Sequence, residues 1–105
     1  MSDTEILEIL KADLEIMGIT KDKYLTHLIA VARQEITEEG IQLTESVLDG
    51  SLVERYAAYL YRKRAAQTGS SGQGGTDGTA MPRSLRYSLN NRLMKQKGKV
   101  NTDVT

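Results

Sequence analysis

The chain has 105 residues, 39% of them apolar, and a formal net charge of zero. That is enough for one small domain and too little for a second sizeable core. No apolar run approaches the roughly 18 residues of a membrane span, and no membrane partner is expected. Cysteine is absent and histidine occurs once, which excludes disulfides, thiolate nucleophiles and His-rich or Cys-rich zinc sites.

Other class exclusions follow from the same composition. The start Met1-Ser2-Asp3-Thr4-Glu5 is acidic where a secretory leader carries positive charge, so no such leader is expected. All five aromatic residues are Tyr and Pro occurs once. A β-sandwich needs β-branched and aromatic strands broken by frequent turn residues, so the composition points away from one.

The zero net charge hides a division. Residues 1–54 hold twelve acids and four bases, a net −8, whereas residues 55–105 hold ten bases and two acids, a net +8. Two readings stand side by side. Acidic and basic helices can pack against each other within one chain, or the two halves can offer unlike faces to an anionic partner or to neighbouring copies.

The first expected element is a helix over residues 3–17. Leu7, Leu10, Leu14 and Met17 share a face that Ile6, Ile9 and Ile16 widen. Ser2 or Asp3 is placed to cap it, and Gly18 to end it in the left-handed conformation. A second helix is expected over residues 21–39, with Thr20 as cap and Tyr24, Leu25, Leu28, Ile29, Ala32 and Ile36 repeating at three and four. Gly40 ends it as Gly18 ends the first. In each joint the following Ile, Ile19 or Ile41, is expected to fold back on the last turn.

Residues 41–50 read as a connection closed by Asp49-Gly50-Ser51. A third helix is expected over residues 51–67, with Leu52, Val53, Tyr56, Ala57 and Leu60 as its stripe and Tyr59 and Tyr61 beyond it. Residues 68–80 contain five glycines and no large apolar residue, so they read as a long flexible loop. No strand precedes that loop and no lysine lies in it, so it is not a phosphate-cradling loop. Pro82 opens a fourth helix, expected to run to Gln96. Its stripe is Leu85, Leu89 and Leu93, flanked by Arg83, Arg86 and Lys97 on one side and by Arg92 on the other. Residues 98–105 show no periodicity and read as a disordered tail. The expected architecture is therefore all-α: a small four-helix domain over 1–97, with the glycine-rich loop at 68–80.

Catalytic grammar is thin. His27 lies off the apolar face of its helix, with no Ser–His–Asp arrangement around it. The carboxylates Glu35, Glu38 and Glu39, and Asp13 with Glu15, read as a solvated helical face. No calcium-loop spacing occurs. No catalytic, metal or cofactor-binding residue is expected. Arg62-Lys63-Arg64 beside Tyr59 and Tyr61, with the basic fourth helix, could touch phosphates. That helix follows a thirteen-residue loop, however, which is wrong for a helix-turn-helix.

Two segments carry a resemblance. They are Tyr56-Ala57-Ala58-Tyr59-Leu60-Tyr61-Arg62-Lys63-Arg64 and, after a polar gap, Met81-Pro82-Arg83-Ser84-Leu85-Arg86-Tyr87-Ser88-Leu89-Asn90-Asn91-Arg92-Leu93. Together with Leu25-Thr26-His27-Leu28-Ile29 and Glu35-Ile36-Thr37-Glu38-Glu39-Gly40-Ile41, the chain resembles the head-tail connector (adaptor) proteins of tailed bacteriophages and prophages. The resemblance implies a structural subunit rather than an enzyme. Copies would form a homo-oligomeric ring beneath the portal protein, extend the DNA channel with non-specific contact to the DNA, and receive a tail or stopper protein. It implies a place in the virion at the head-tail interface, after assembly in the cytoplasm of the bacterial host.

For the interface, the residues themselves offer Tyr59 and Tyr61 as anchors with Arg62 and Arg64 beside them. A docking face on the fourth helix would be built from Arg83, Leu85, Arg86, Leu89, Arg92 and Leu93. The competing readings are that both tyrosines complete the subunit core and that the fourth helix belongs to that core. Two alternative functions remain: a small nucleic-acid-binding module using the basic helix, and a regulatory module that binds another helix.

Overall fold

A computed structural model describes residues 1–69 and 80–104. Among them are four helices and no strand: α1 (Asp3–Leu14), α2 (Asp22–Glu38), α3 (Val47–Gly69) and α4 (Arg83–Val104). The fold is all-α, as the sequence predicts. The glycine-rich stretch read as a flexible loop lies, over residues 70–79, outside the described residues.

The start of α1 is a capping box. Ser2 Oγ accepts from the Glu5 N–H (3.2 Å) and Glu5 Oε1 accepts from the Ser2 N–H (2.8 Å), which stabilises a helix start by about 1 kcal/mol. α1 stops at Leu14, short of the expected Met17. Glu15 takes the left-handed conformation at φ 58°, and the N–H groups of Glu15 and Ile16 close back on Ala12 and Lys11. This is the Schellman pattern with a glutamate where glycine is favoured. Met17 and Ile19 then project from the corner, 90% and 78% exposed. The second joint behaves differently: Gly40 has φ 100° and Ile41 is buried. The cause is a neighbour. Gln96 of α4 accepts from the Gln42 N–H (2.8 Å) and donates to the Gly40 carbonyl (2.9 Å), so α4 covers that joint. Nothing lies within 4 Å of a side chain built at Gly18.

Thr20 does not cap α2, whose N-cap is Lys21 without a side-chain bond. The expected stripe of Leu25, Leu28, Ile29, Ala32 and Ile36 is buried. α3 begins at Val47, so Asp49-Gly50-Ser51 is helical rather than a closing turn. Ser46 Oγ accepts from the Asp49 N–H (3.1 Å) and caps it. Gly50 sits inside the first turns because the Met1 side chain occupies the space a Cβ would need. α3 continues to Gly69 and α4 continues past Gln96 through residues 98–104, which the sequence reads as tail. One glycine, Gly98, lowers helix propensity by about 1 kcal/mol without forbidding helix.

The helices α1, α2 and α3 pack on one another and α4 lies on α3. Asp13 of α1 meets Arg62, and Lys21 before α2 meets Tyr61 (3.2 Å), so the α1–α2 corner lies beside the later part of α3. Met1 bonds the Glu45 carbonyl, which places the start of α1 beside the start of α3. Hence α1 and α3 run parallel, with α2 antiparallel to both. α4 is antiparallel to α3, through Arg55–Ser88 and Asp49–Arg92. The buried core joins Ile6, Leu10, Ile29, Ile36, Val53 and Ala57 to Leu85 and Leu89 of α4. The reading of α4 as a fourth core helix therefore holds. Leu89→Ala should lower unfolding free energy in urea by about 2–4 kcal/mol. A loss below about 1 kcal/mol would show that α4 lies outside the cooperative fold.

Candidate functional site

The residues singled out for docking divide between the interior and the surface. Leu85 and Leu89 are buried, and Leu93 is half-buried with its Cδ1 against Gly40. Arg86 forks onto Glu39, with Nη1–Oε1 at 2.9 Å and Nη2–Oε2 at 3.1 Å. Arg92 forks onto Asp49 at 2.8 and 3.1 Å and also donates to the Gln42 carbonyl. These five side chains of α4 contact their own subunit. The expected docking face is corrected for Leu85 and Leu89, which lie in the core, whereas Leu93, Arg86 and Arg92 stay partly exposed. The guanidinium charges of Arg86 and Arg92 are each matched by an acid of the same subunit. Arg83 remains exposed at the start of α4.

The two anchor tyrosines are half-buried against the core on different sides of α3. Tyr59 meets Tyr56 edge-on at 5.8 Å and carries Lys63 over its ring. Tyr61 lies 6.3 Å from Tyr24 and carries Lys21 at 5.5 Å. Arg64 stands over Tyr24 at 5.7 Å, and Arg62 reaches Asp13 at 3.5 Å. Each ring thus has one flank on the core and one beside a cation, a contact that contributes about 0.5–1 kcal/mol at exposed sites.

Charges from the two halves of the sequence meet in Arg62–Asp13, Arg86–Glu39 and Arg92–Asp49. Burial alone would raise the pKa of Asp49. The hydrogen bonds from Arg92 and Thr44 outweigh it and hold the carboxyl below its usual range. The acids read as a solvated set are also engaged: Glu35 accepts from the Tyr56 hydroxyl (3.1 Å) and Glu38 from the Gln34 amide (3.1 Å). His27 is exposed on α2.

Sequence reasoning missed Glu54. It is buried, 6% exposed, and its Oε2 has no hydrogen-bond donor. Burial pushes its carboxyl up to about 7, and the hydrogen bond and negative charge of Asp13 add to the rise, against Arg62 and Arg55. Protonation removes a buried negative charge that would otherwise stand beside the Asp13 carboxylate. The sequence offers only a weak sign of this, the apolar Val53, Ala57 and Ala58 beside position 54, which does not say what covers them.

Two clefts flank α4. One of 230 Å³ lies between the start of α3 and the middle of α4, and a second of 350 Å³ involves Asp13, Arg62 and Ser84 near the start of α4. Among the described residues no three acidic or histidine side chains converge to hold a metal ion, and no helix is long and apolar enough to cross a membrane. Val47 and Leu48 are 68% and 71% exposed at the start of α3. They stand at the opposite end of the bundle from Met17 and Ile19. Comparison with protein-family models, characterised proteins and solved structures returns no match.

The Glu54 carboxyl has a direct thermodynamic consequence. Its pKa is about 7 in the folded chain against 4.5 in the unfolded one. The unfolded chain therefore releases this proton first, and stability falls as pH rises from 4.5 to 7. Glu54→Gln keeps the shape of the side chain and removes the titration. The variant should be more stable than the parent by about 2 kcal/mol at pH 8 and equal to it near pH 4. Parallel stability-against-pH curves for the two proteins would contradict this.

Proposed function

We propose that the chain is a structural head-tail connector subunit of a tailed phage or prophage. Copies form a ring beneath the portal that extends the DNA channel and receives the tail or stopper protein. Its place would be the head-tail interface of the virion, after assembly in the bacterial cytoplasm. The reading assigns no reaction and no cofactor.

One observation carries the assembly part. Large apolar side chains are left in water at both ends of one bundle, Met17 and Ile19 at the α1–α2 corner and Val47 and Leu48 at the start of α3. The two ends differ in sequence, so each meets an unlike surface of a neighbouring copy and the contacts are heterologous. Such contacts continue from copy to copy and give a ring where the rotation between neighbours closes. The phage part is supported by the resemblance of residues 56–64 and 81–93. Helix α4 serves this reading as a structural member of the subunit rather than as a free docking arm.

The test is negative-stain microscopy of the purified chain at high concentration, with and without portal protein. Closed rings, alone or on the portal, are expected. Met17→Asp with Ile19→Asp should disperse them while leaving helical circular dichroism unchanged. A chain that forms no ring and does not bind portal under either condition would overturn the reading.

A further inference from the structure

After the internal ion pairs are made, each flank of the molecule keeps a residual sign. On the outward side of α1, Glu5, Glu8, Ile9 and Ala12 share one face, since 3.6 residues per turn bring these positions together. All four are exposed. Glu8 has no base within ion-pair distance among the described residues, and Glu5 meets only the Ser2 backbone and hydroxyl of its own cap. The face is acidic, with one bulky aliphatic side chain, Ile9, along one edge and the small Ala12 near its middle.

The cleft between α3 and α4 is its complement. Leu48 and Leu52 supply an apolar wall, and Arg55, Asn91 and Lys95 a polar and basic one. Arg55 donates to the neutral Ser88 hydroxyl (3.0 Å), and Lys95 has no acid within ion-pair distance among the described residues. The one acid in the cleft, Asp49, is taken by Arg92. The cleft therefore carries net positive charge beside exposed aliphatic surface. α1 cannot reach it within the same chain, because α1 packs on α3 through Ile6 and Leu10 and its acidic face points away from that contact.

We propose that the acidic face of α1 of one copy seats in the α3–α4 cleft of a second copy, with Ile9 against Leu48 and Glu8 toward Lys95. This contact deepens the ring reading above and rests on it. It is a helix laid in a groove, in which the aliphatic anchor supplies burial and the charges set partner and register. Because face and cleft belong to different parts of the chain, every copy has one of each to offer.

The test is a charge exchange read by sedimentation velocity over a concentration series at low salt. The wild-type chain should grow in mass with concentration, less so at 0.5 M salt. Glu8→Lys alone and Lys95→Glu alone should each weaken association about tenfold or more. An equimolar mixture of the two variants should regain it, since each then meets the opposite sign on its neighbour. Both positions are exposed, so unchanged circular dichroism checks that the variants fold. If the two variants associate as the wild type does, or their mixture stays dispersed, the contact is wrong. Rings still visible by microscopy in that case leave the ring reading standing. A wild-type chain that remains monomeric with and without portal ends the ring reading and this contact together.

Discussion

Asp49 is where the architecture is tied. Its carboxylate is 3% exposed and accepts four hydrogen bonds: from the Thr44 N–H (2.7 Å) and hydroxyl (2.8 Å), and from two nitrogens of Arg92 (2.8 and 3.1 Å). A carboxylate in that position would cost several kcal/mol if left unpaired. Satisfied in this way, it joins three pieces of chain that are distant in sequence: the connection after α2, the first turn of α3 and the middle of α4. Arg92 adds a bond to the Gln42 carbonyl, and Gln96 closes the same connection one turn later. With α4 held there, Leu85 and Leu89 are buried and Ile41 gains its cover.

The same constraint decides what the charge division of the sequence means. Part of it is used inside the subunit, where Arg62, Arg86 and Arg92 each meet an acid of the first half. Part of it survives at the surface, as acids on α1 and bases on α4. Intramolecular packing and unlike outer faces are thus both present, because a helix has two sides: the arginines on the inward side of α4 are neutralised and Lys95 on the outward side is not. Charge that remains unpaired on a folded surface acts mainly on association and its salt dependence.

The helices were legible where apolar spacing dominates. The stripe of α2, the leucines of α4 and the apolar run of α3 follow a helical period that burial enforces. Three features were not legible, each for a tertiary reason. Asp49-Gly50 reads as a turn, and becomes helix because Ser46 caps it and Met1 fills the space beside Gly50. Ile19 and Ile41 occupy matching positions in sequence, yet only Ile41 has a helix laid over it. Glu54 is buried because α3 is packed by the other three helices, which no local pattern reports. Local pattern reports which face of a segment is apolar; which neighbour covers that face depends on the rest of the chain. For the same reason Leu85 and Leu89, offered as docking residues, belong to the core.

The most direct measurement is a double-mutant cycle on the central ion pair. Asp49→Asn, Arg92→Gln and the double variant would be unfolded in urea beside the parent. If Asp49 and Arg92 lock α4 onto α3, each single change should destabilise strongly. The double change should then cost less than the sum of the two, by about 2 kcal/mol or more. Additive effects, with coupling below about 0.5 kcal/mol, would show that α4 is held by its leucines alone and would contradict the account.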